Sequence, residues 1–342
     1  MSASPTHQEL ADLAQVSRST VSRALKNDPR ISPRTRKRIL ELADSLNYKP
    51  NPLVSSLMQQ VRANKRPNCR GTIALISDWK DIPPIGHAPH DTWRRMLLGA
   101  RKKADETGFQ LDNFALSEVN YKEQRLSQIL ISRGILGVVL GPSIFSRGLA
   151  LDWDSFSMVA IGFSYVNPRC HRVVHHHFNS VGIIFSELMK RGYRRIGLYL
   201  YALQNLNSNR QYEASYLVHQ QDLTPEDRLP PCFVQSYEAE SFKTWLQESK
   251  PDAILVGNNN SFIDWAEEAG FRVPEDLAII NLDHCCLTPS FTGVDHLGEE
   301  LGSRAVELLV AQIHLNQRGL PKNPSVTYLE GQWQVGETIA KH

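Results

Sequence analysis

Arg18, Ser19, Ser22 and Arg23 share one side of the run Arg18-Ser19-Thr20-Val21-Ser22-Arg23-Ala24-Leu25, and Val21 and Leu25 occupy the other. A helix that buries two aliphatic side chains and presents guanidinium and hydroxyl groups carries the chemistry needed to read DNA. Arginine offers a planar fork of donors that matches guanine O6 and N7, while hydroxyls bind phosphate oxygens. Ser17 stands where it caps this helix. The helix before it starts at about Thr6, whose spacing to Glu9 is that of a capping box. Leu10, Leu13 and Ala14 form its apolar stripe, and Val16 fills the turn between the two. Asn27-Asp28-Pro29 ends the second helix. Ser32-Pro33 opens a third, with Ile39, Leu42 and Leu46 directed inward. Two short helices joined by a tight turn and closed by a third make a helix-turn-helix, whose second helix enters a major groove.

Charge supports that reading. The chain of 342 residues is nearly neutral at +2, yet its charges are unevenly placed. Residues 1–66 hold 12 Lys and Arg against 5 Asp and Glu, and the remainder hold 26 against 31. A basic head on an acidic body points to an anionic polymer as the partner of the head. Arg34, Arg36, Lys37 and Arg38 supply charge for neutralising phosphates.

Beyond the third helix, Asn47-Tyr48-Lys49-Pro50 is a turn. Asn51 then caps, and Pro52 begins, a helix of one or two turns bearing Leu53, Val54 and Leu57. So short a helix is marginal alone and needs a partner for its leucines, either the same segment of a second chain or a DNA groove. Residues 64–68 read as a polar linker.

The body alternates apolar runs with amphipathic stretches. Strands are expected at 72–76, 109–114, 135–140 and 158–161, with helices at 93–107 and 122–132. A second set has strands at 196–200, near 233, at 253–256 and at 277–282, with helices at 181–191, 211–220, 241–247 and 262–269. Alternation of this kind implies parallel, doubly wound sheets, and two sets imply two lobes with a cleft at the carboxyl ends of their strands.

Other chemistries find little footing. No phosphate loop, nucleophile elbow or pair of catalytic carboxylates is present, so no enzyme is expected. His175-His176-His177, with His171 nearby, invites a metal reading. Adjacent residues of an extended segment face opposite ways, and no Cys or carboxylate stands at ligand spacing, so neither a metal nor a cofactor is expected. Cys69, Cys170, Cys232 and the neighbours Cys285-Cys286 form no pattern. With no signal peptide and no long apolar run, they suggest reduced thiols in a cytoplasmic protein with no membrane partner.

The runs 13–25, Ile31-Ser32-Pro33-Arg34-Thr35-Arg36 and Tyr48-Lys49-Pro50-Asn51 resemble the DNA-binding head of LacI-type transcriptional repressors. That resemblance implies a homodimer on double-stranded operator DNA, with a hinge helix that folds on DNA and wedges Leu57 into the minor groove. Val54, Ser55 and Pro52 depart from the usual hinge. It places base reading at Arg18, Ser19 and Arg23, with phosphate contact as the alternative for Arg18. Thr6, Ser17, Thr20, Ser22 and Asn51 complete the DNA-binding set. The stretches 190–197, 272–283 and 297–309 resemble the family's effector domain, which looks like a periplasmic sugar-binding protein.

This likeness puts a small-molecule effector, sugar-like in class, between the lobes. Asp283 is the candidate for a polyol hydroxyl, and Arg210 is the second candidate. Asn259 belongs to an Asn258-Asn259-Asn260 run where the family has an Asn-Asp pair. Trp79, Asp91 and Trp93 stand in the loop after the first strand, where aromatic faces stack on sugars. The loop 81–90 is rich in Pro and His, which points away from an ordinary sugar. The expected architecture is therefore an all-α helix-turn-helix head (1–50), a hinge helix and linker (51–68) and a two-lobed α/β body resembling periplasmic binding proteins (69–342). The expected function is a sequence-specific transcriptional regulator, a repressor by its resemblance, under effector control. The competing reading is a solute-binding sensor whose DNA binding is vestigial.

Overall fold

The computed structural model describes residues 7–25, 28–46, 71–78, 90–119, 122–143, 147–284 and 290–340. The hinge segment, Thr6, Asn51, Leu57 and Trp79 lie outside the described residues, as does most of the 81–90 loop.

The head comprises α1 (His7–Leu13), α2 (Arg18–Leu25) and α3 (Pro33–Ser45). Ser17 Oγ accepts from Thr20 N at 3.1 Å and so caps α2. Ser32 Oγ does the same for Thr35 N at 3.2 Å, with Pro33 at the first position of α3. Leu10, Ala11, Ala14, Val21, Ala24, Ile31, Ile39 and Ala43 form the miniature core. Leu13, expected inside, is 61% exposed. The buried stripe is Leu10, Ala11 and Ala14, and at 3.6 residues per turn Leu13 falls roughly 100° to its side. Leu46, just past the end of α3, is also exposed rather than inward.

In chain order the body then runs through β1 (Thr72–Ser77), α4 (His90–Thr107), β2 (Gln110–Ala115), α5 (Glu123–Ser132), β3 (Gly137–Leu140), β4 (Arg147–Gly148), β5 (Ser157–Ile161), β6 (Tyr165–Asn167) and β7 (His171–His175). There follow α6 (His177–Lys190), β8 (Ile196–Tyr201), α7 (Ala202–Asn207), α8 (Gln211–Gln220), β9 (Cys232–Val234), α9 (Ala239–Ser249), β10 (Ala253–Val256) and α10 (Phe262–Glu268). The chain closes with β11 (Ala278–His284), β12 (Thr292–Asp295), α11 (Gly298–His314), β13 (Val326–Leu329) and β14 (Gln332–Gln334).

Two six-stranded sheets result, in the orders β13-β7-β5-β3-β1-β2 and β14-β12-β11-β10-β8-β9. Pairing is parallel except where β14 runs antiparallel to β12. Central strands such as Val138-Val139-Leu140 and Ala253-Ile254-Leu255-Val256 are buried on both faces, as parallel sheets covered by helices require. Each sheet carries a hydrophobic core on either face.

The lobes are not simply consecutive. After completing most of the second sheet the chain crosses back along α11, adds β13 to the edge of the first sheet, and returns as β14 to the edge of the second. A Cβ at Gly302 would overlap the Met96 carbonyl oxygen, and one at Gly99 would overlap that of Glu299. Helices α4 and α11 therefore touch backbone to backbone, which only glycine at these two positions allows.

Candidate functional site

The groove-reading surface of the head is α2. Arg18, Ser19 and Arg23 are exposed. Ser17 Oγ lies 2.7 Å from Ser19 Oγ and 2.8 Å from Thr20 Oγ1, so three hydroxyls converge at the helix N-terminus, where the backbone N–H groups and helix dipole attract a phosphate. Two members of the basic run serve the fold instead. Arg36 Nη2 donates to the carbonyls of Asp28 (2.9 Å) and Ile31 (3.1 Å), and Arg38 Nη2 donates to Ala14 O at 2.8 Å. They tie α3 to the turns on either side of α2. Arg34 and Lys37 remain exposed.

Between the lobes lies a cavity of about 660 Å³, within the range of small-molecule sites. It opens at the carboxyl ends of the strands, as expected for doubly wound sheets. Trp93 and Met96 of α4, Phe163 after β5, and Tyr201, Tyr212 and Tyr237 supply its apolar and aromatic walls. Asn207, Ser208, Gln204 and Asn258-Asn259-Asn260 supply amides and hydroxyls. Asn207 Oδ1 and Asn258 Nδ2 are buried without a hydrogen-bond partner. Tyr237 OH accepts from Tyr201 N at 3.0 Å and faces Gln204 Oε1 at 3.3 Å. A Cβ at Gly257 would strike both groups, so glycine there lets them line the cavity. Bonds across the cleft hold the lobes together. Thr92 Oγ1 donates to Asp283 Oδ1 at 2.8 Å, and Arg95 pairs with Asp295 through two contacts at 2.8 and 3.1 Å.

One end of the cavity is built of histidines. His175 at the end of β7, His177 at the start of α6 and His296 just after β12 each place a ring nitrogen within 4.8 Å of the others. His175 and His296 stack with centroids 3.7 Å apart. Burial pushes the imidazoles of His175 and His177 well below their ordinary range, and the neighbouring histidines push the same way. Burial likewise holds the Tyr212 hydroxyl well above its usual value, with Asp283 adding to the effect. Asp283 Oδ1 lies 3.2 Å from His296 Nδ1.

Two family models match in chain order. One, described as bacterial regulatory proteins of the lacI family, covers residues 6–51, and the other, a periplasmic binding protein-like domain, covers residues 185–339. The chain belongs to the lacI family. Curated LacI relatives align along nearly the whole chain. The NTD biosynthesis operon regulator NtdR of Bacillus subtilis (strain 168) is 28% identical, over 91% of this chain and 94% of its own. The transcriptional repressor PurR of Aliivibrio salmonicida (strain LFI1238) is 22% identical, over 94% and 97% respectively. Among solved structures, the transcriptional regulator CelR in its cellobiose complex has a similar fold, with a TM-score of 0.60 at 22% identity over 98% of this chain and 99% of that one.

LacI-family proteins are helix-turn-helix transcriptional regulators that bind DNA and a small-molecule effector, and this chain has the parts for both. Of the residues expected in the LacI effector site, Trp93, Asn259 and Asp283 line the cavity together. Asp91 is buried beneath its wall, and its Oδ1 has no hydrogen-bond partner. Arg210 is elsewhere. It takes a left-handed backbone conformation (φ 58°) at the start of α8, lies largely exposed, and pairs with Glu213 at 3.1 Å. The cavity residues on either side of it are Asn207, Ser208 and Tyr212.

The histidine run alternates, as an extended segment should. His176 faces outward onto Glu330 at 2.8 Å, while His175 and His177, two residues apart, turn inward on the same side. Their third partner, His296, is more than a hundred residues away in sequence and carried no local signal. No helix among the described residues is long and apolar enough to cross a membrane.

Proposed function

We propose that this chain is a cytoplasmic repressor that acts as a homodimer on a palindromic operator and is controlled by a sugar-like ligand in the interlobe cavity. The observation that carries the reading is the pairing, in one chain, of an exposed α2 bearing Arg18, Ser19 and Arg23 with an aromatic-walled, amide-rimmed cavity. Arg18, Ser19 and Arg23 read bases, and Thr6, Ser17, Thr20, Ser22 and Asn51 hold phosphates. The division into a head (1–50), a hinge (51–68) and a body (69–342) follows the same logic, with Leu57 as the minor-groove wedge. Trp93 and the tyrosines offer faces for sugar rings, and Asp283, Asn258 and Asn259 offer partners for hydroxyls.

Control is a shift between lobe arrangements. A ligand that bridges Thr92 on one lobe and Asp283 on the other favours the closed form, and closure resets the spacing of the two hinge segments in a dimer. The similarity of the CelR–cellobiose complex supports a saccharide class, and PurR supports repression. The decisive experiment is selection of bound duplexes from a random pool, followed by titration of the winner across salt. A palindromic winner with a log–log slope of about 0.9 per neutralised phosphate is expected. Failure to enrich any sequence, with or without cell metabolites, would leave the solute-sensor reading instead.

A further inference from the structure

His175, His177 and His296 share a feature beyond proximity. Each has one ring nitrogen within hydrogen-bonding distance of an oxygen, and that contact leaves the second nitrogen unused. Ser180 Oγ donates to His176 O at 3.2 Å, so it accepts from His175 Nε2 at 2.7 Å and leaves His175 Nδ1 as the bare acceptor. That atom is buried with no hydrogen-bond partner, in a residue 3% exposed. His177 Nδ1 lies 2.9 Å from Tyr212 OH, and in the tautomer that donates to this oxygen Nε2 is the bare acceptor. His296 Nε2 donates to Leu282 O at 2.7 Å, which leaves Nδ1 turned to the Asp283 carboxylate at 3.2 Å. Second contacts of this kind fix the tautomer of metal-ligating histidines and raise their basicity.

The last contact is the most demanding. A lone-pair nitrogen facing a carboxylate oxygen is repulsive unless a cation sits on or beside them, either a second ring proton or a metal ion. We propose that this end of the cavity binds a divalent transition-metal ion of the zinc class, ligated by His175, His177 and His296, with Asp283 compensating its charge. Three imidazoles suit Zn²⁺, Co²⁺, Ni²⁺ and Cu²⁺ and not the oxygen-seeking Ca²⁺ or Mg²⁺. Burial of His175, and of the half-buried His177, lowers both imidazoles and so favours the neutral form that ligates. A tetrahedral site with bonds of about 2.0–2.1 Å needs nitrogens about 3.3 Å apart. The rings must therefore close slightly, and His175 and His296 must leave their stack. Three histidines leave one position of a tetrahedral shell open, and because all three line the cavity an effector oxygen or nitrogen can complete it. This last point rests on the cavity being the effector site, whereas the metal itself does not.

The test uses full-length protein stripped with a chelator and titrated with Co²⁺. Visible d–d absorption saturating at one ion per chain, and its displacement by Zn²⁺, is the expected result. His177→Gln and His296→Gln should each weaken Co²⁺ binding by about a hundredfold or more, and Tyr212→Phe by roughly tenfold. His176→Gln should leave the spectrum unchanged. Thermal melts and operator binding by the same preparations report folding. Folded wild-type protein that takes up no Co²⁺ or Zn²⁺, or absorption that survives in both glutamine variants, overturns the metal site. Selection of an operator by metal-free protein separates the two readings, because it upholds the regulator whatever the cobalt titration gives.

Discussion

Arg18 stands at the first position of α2 with its side chain exposed, so its role in DNA binding is decided by which atoms of the duplex it meets. A guanidinium on guanine O6 and N7 discriminates by about 1–3 kcal/mol at one base pair, whereas a phosphate contact weakens every sequence alike. Arg18→Ala is expected to flatten preference at one position of each half-site and leave the others intact, as read by competition with single-substituted operators. A uniform loss would reassign Arg18 to phosphate. Arg95 poses a different problem. Its side chain and that of Asp295 are 15% and 11% exposed, and Asp295 also receives the backbone N–H of Leu297 at 2.8 Å. Removing the arginine leaves a largely buried carboxylate uncompensated, so Arg95→Met should destabilise the body by about 3 kcal/mol in denaturant titrations. Arg95→Met combined with Asp295→Asn should recover part of that loss. If the double variant is no more stable than the single, the pair is not the source.

Helices α4 and α11 meet without side chains between them at Gly99 and Gly302, and α11 also lays Leu309 on Gly137 of β3. Gly302→Ala puts a methyl group into the Met96 carbonyl, and the helices must separate. The expected cost is about 1–3 kcal/mol, visible as a lower melting temperature of the body with little change in isolated contacts of the head. Gly134→Ala is the contrasting control. Nothing lies within 4 Å of its added Cβ, so any cost comes from its positive φ of 66° and not from crowding. The same elements show what a sequence can and cannot reveal. Apolar runs such as Ala253–Val256, the period of Gln211–Gln220 and the Ser32-Pro33 start signal are local, and the structure has elements at those places. Thr292–Asp295, held between β11 and β14, and the edge strands Val326–Leu329 and Gln332–Gln334 are short and partly polar, and nothing in their composition says which sheet they join. Pairing across the lobes, like the meeting of His296 with His175, is a property of topology and not of spacing. Asp283 was legible because it ends an apolar strand. Arg210 lies outside the cavity, exposed and paired with Glu213, and nothing in its local sequence marks that difference from its neighbours Asn207 and Ser208.

At the scale of the whole molecule, Thr92–Asp283, Arg95–Asp295 and the contact of Asn207 with Ser143 O at 3.4 Å join the lobes beside the cavity, so its shape and the lobe angle change together. A ligand that fits only the closed form shifts that equilibrium by its differential affinity and no more. The coupling to DNA then obeys linkage: whatever factor the ligand applies to operator affinity, the operator applies to ligand affinity. A typical coupling of 1–3 kcal/mol corresponds to about 5–150-fold. Two titrations test this on one preparation, operator binding at saturating ligand and ligand binding at saturating operator. Equal factors are expected, and both should fall toward one in Asp283→Asn with Thr92→Val, which unhooks the lobes at the cavity while leaving α2 untouched. If that variant keeps full coupling, signal passes to the head by a route other than closure about this contact. The aromatic walls and the histidine end would then bind a ligand without the lobe angle carrying its message.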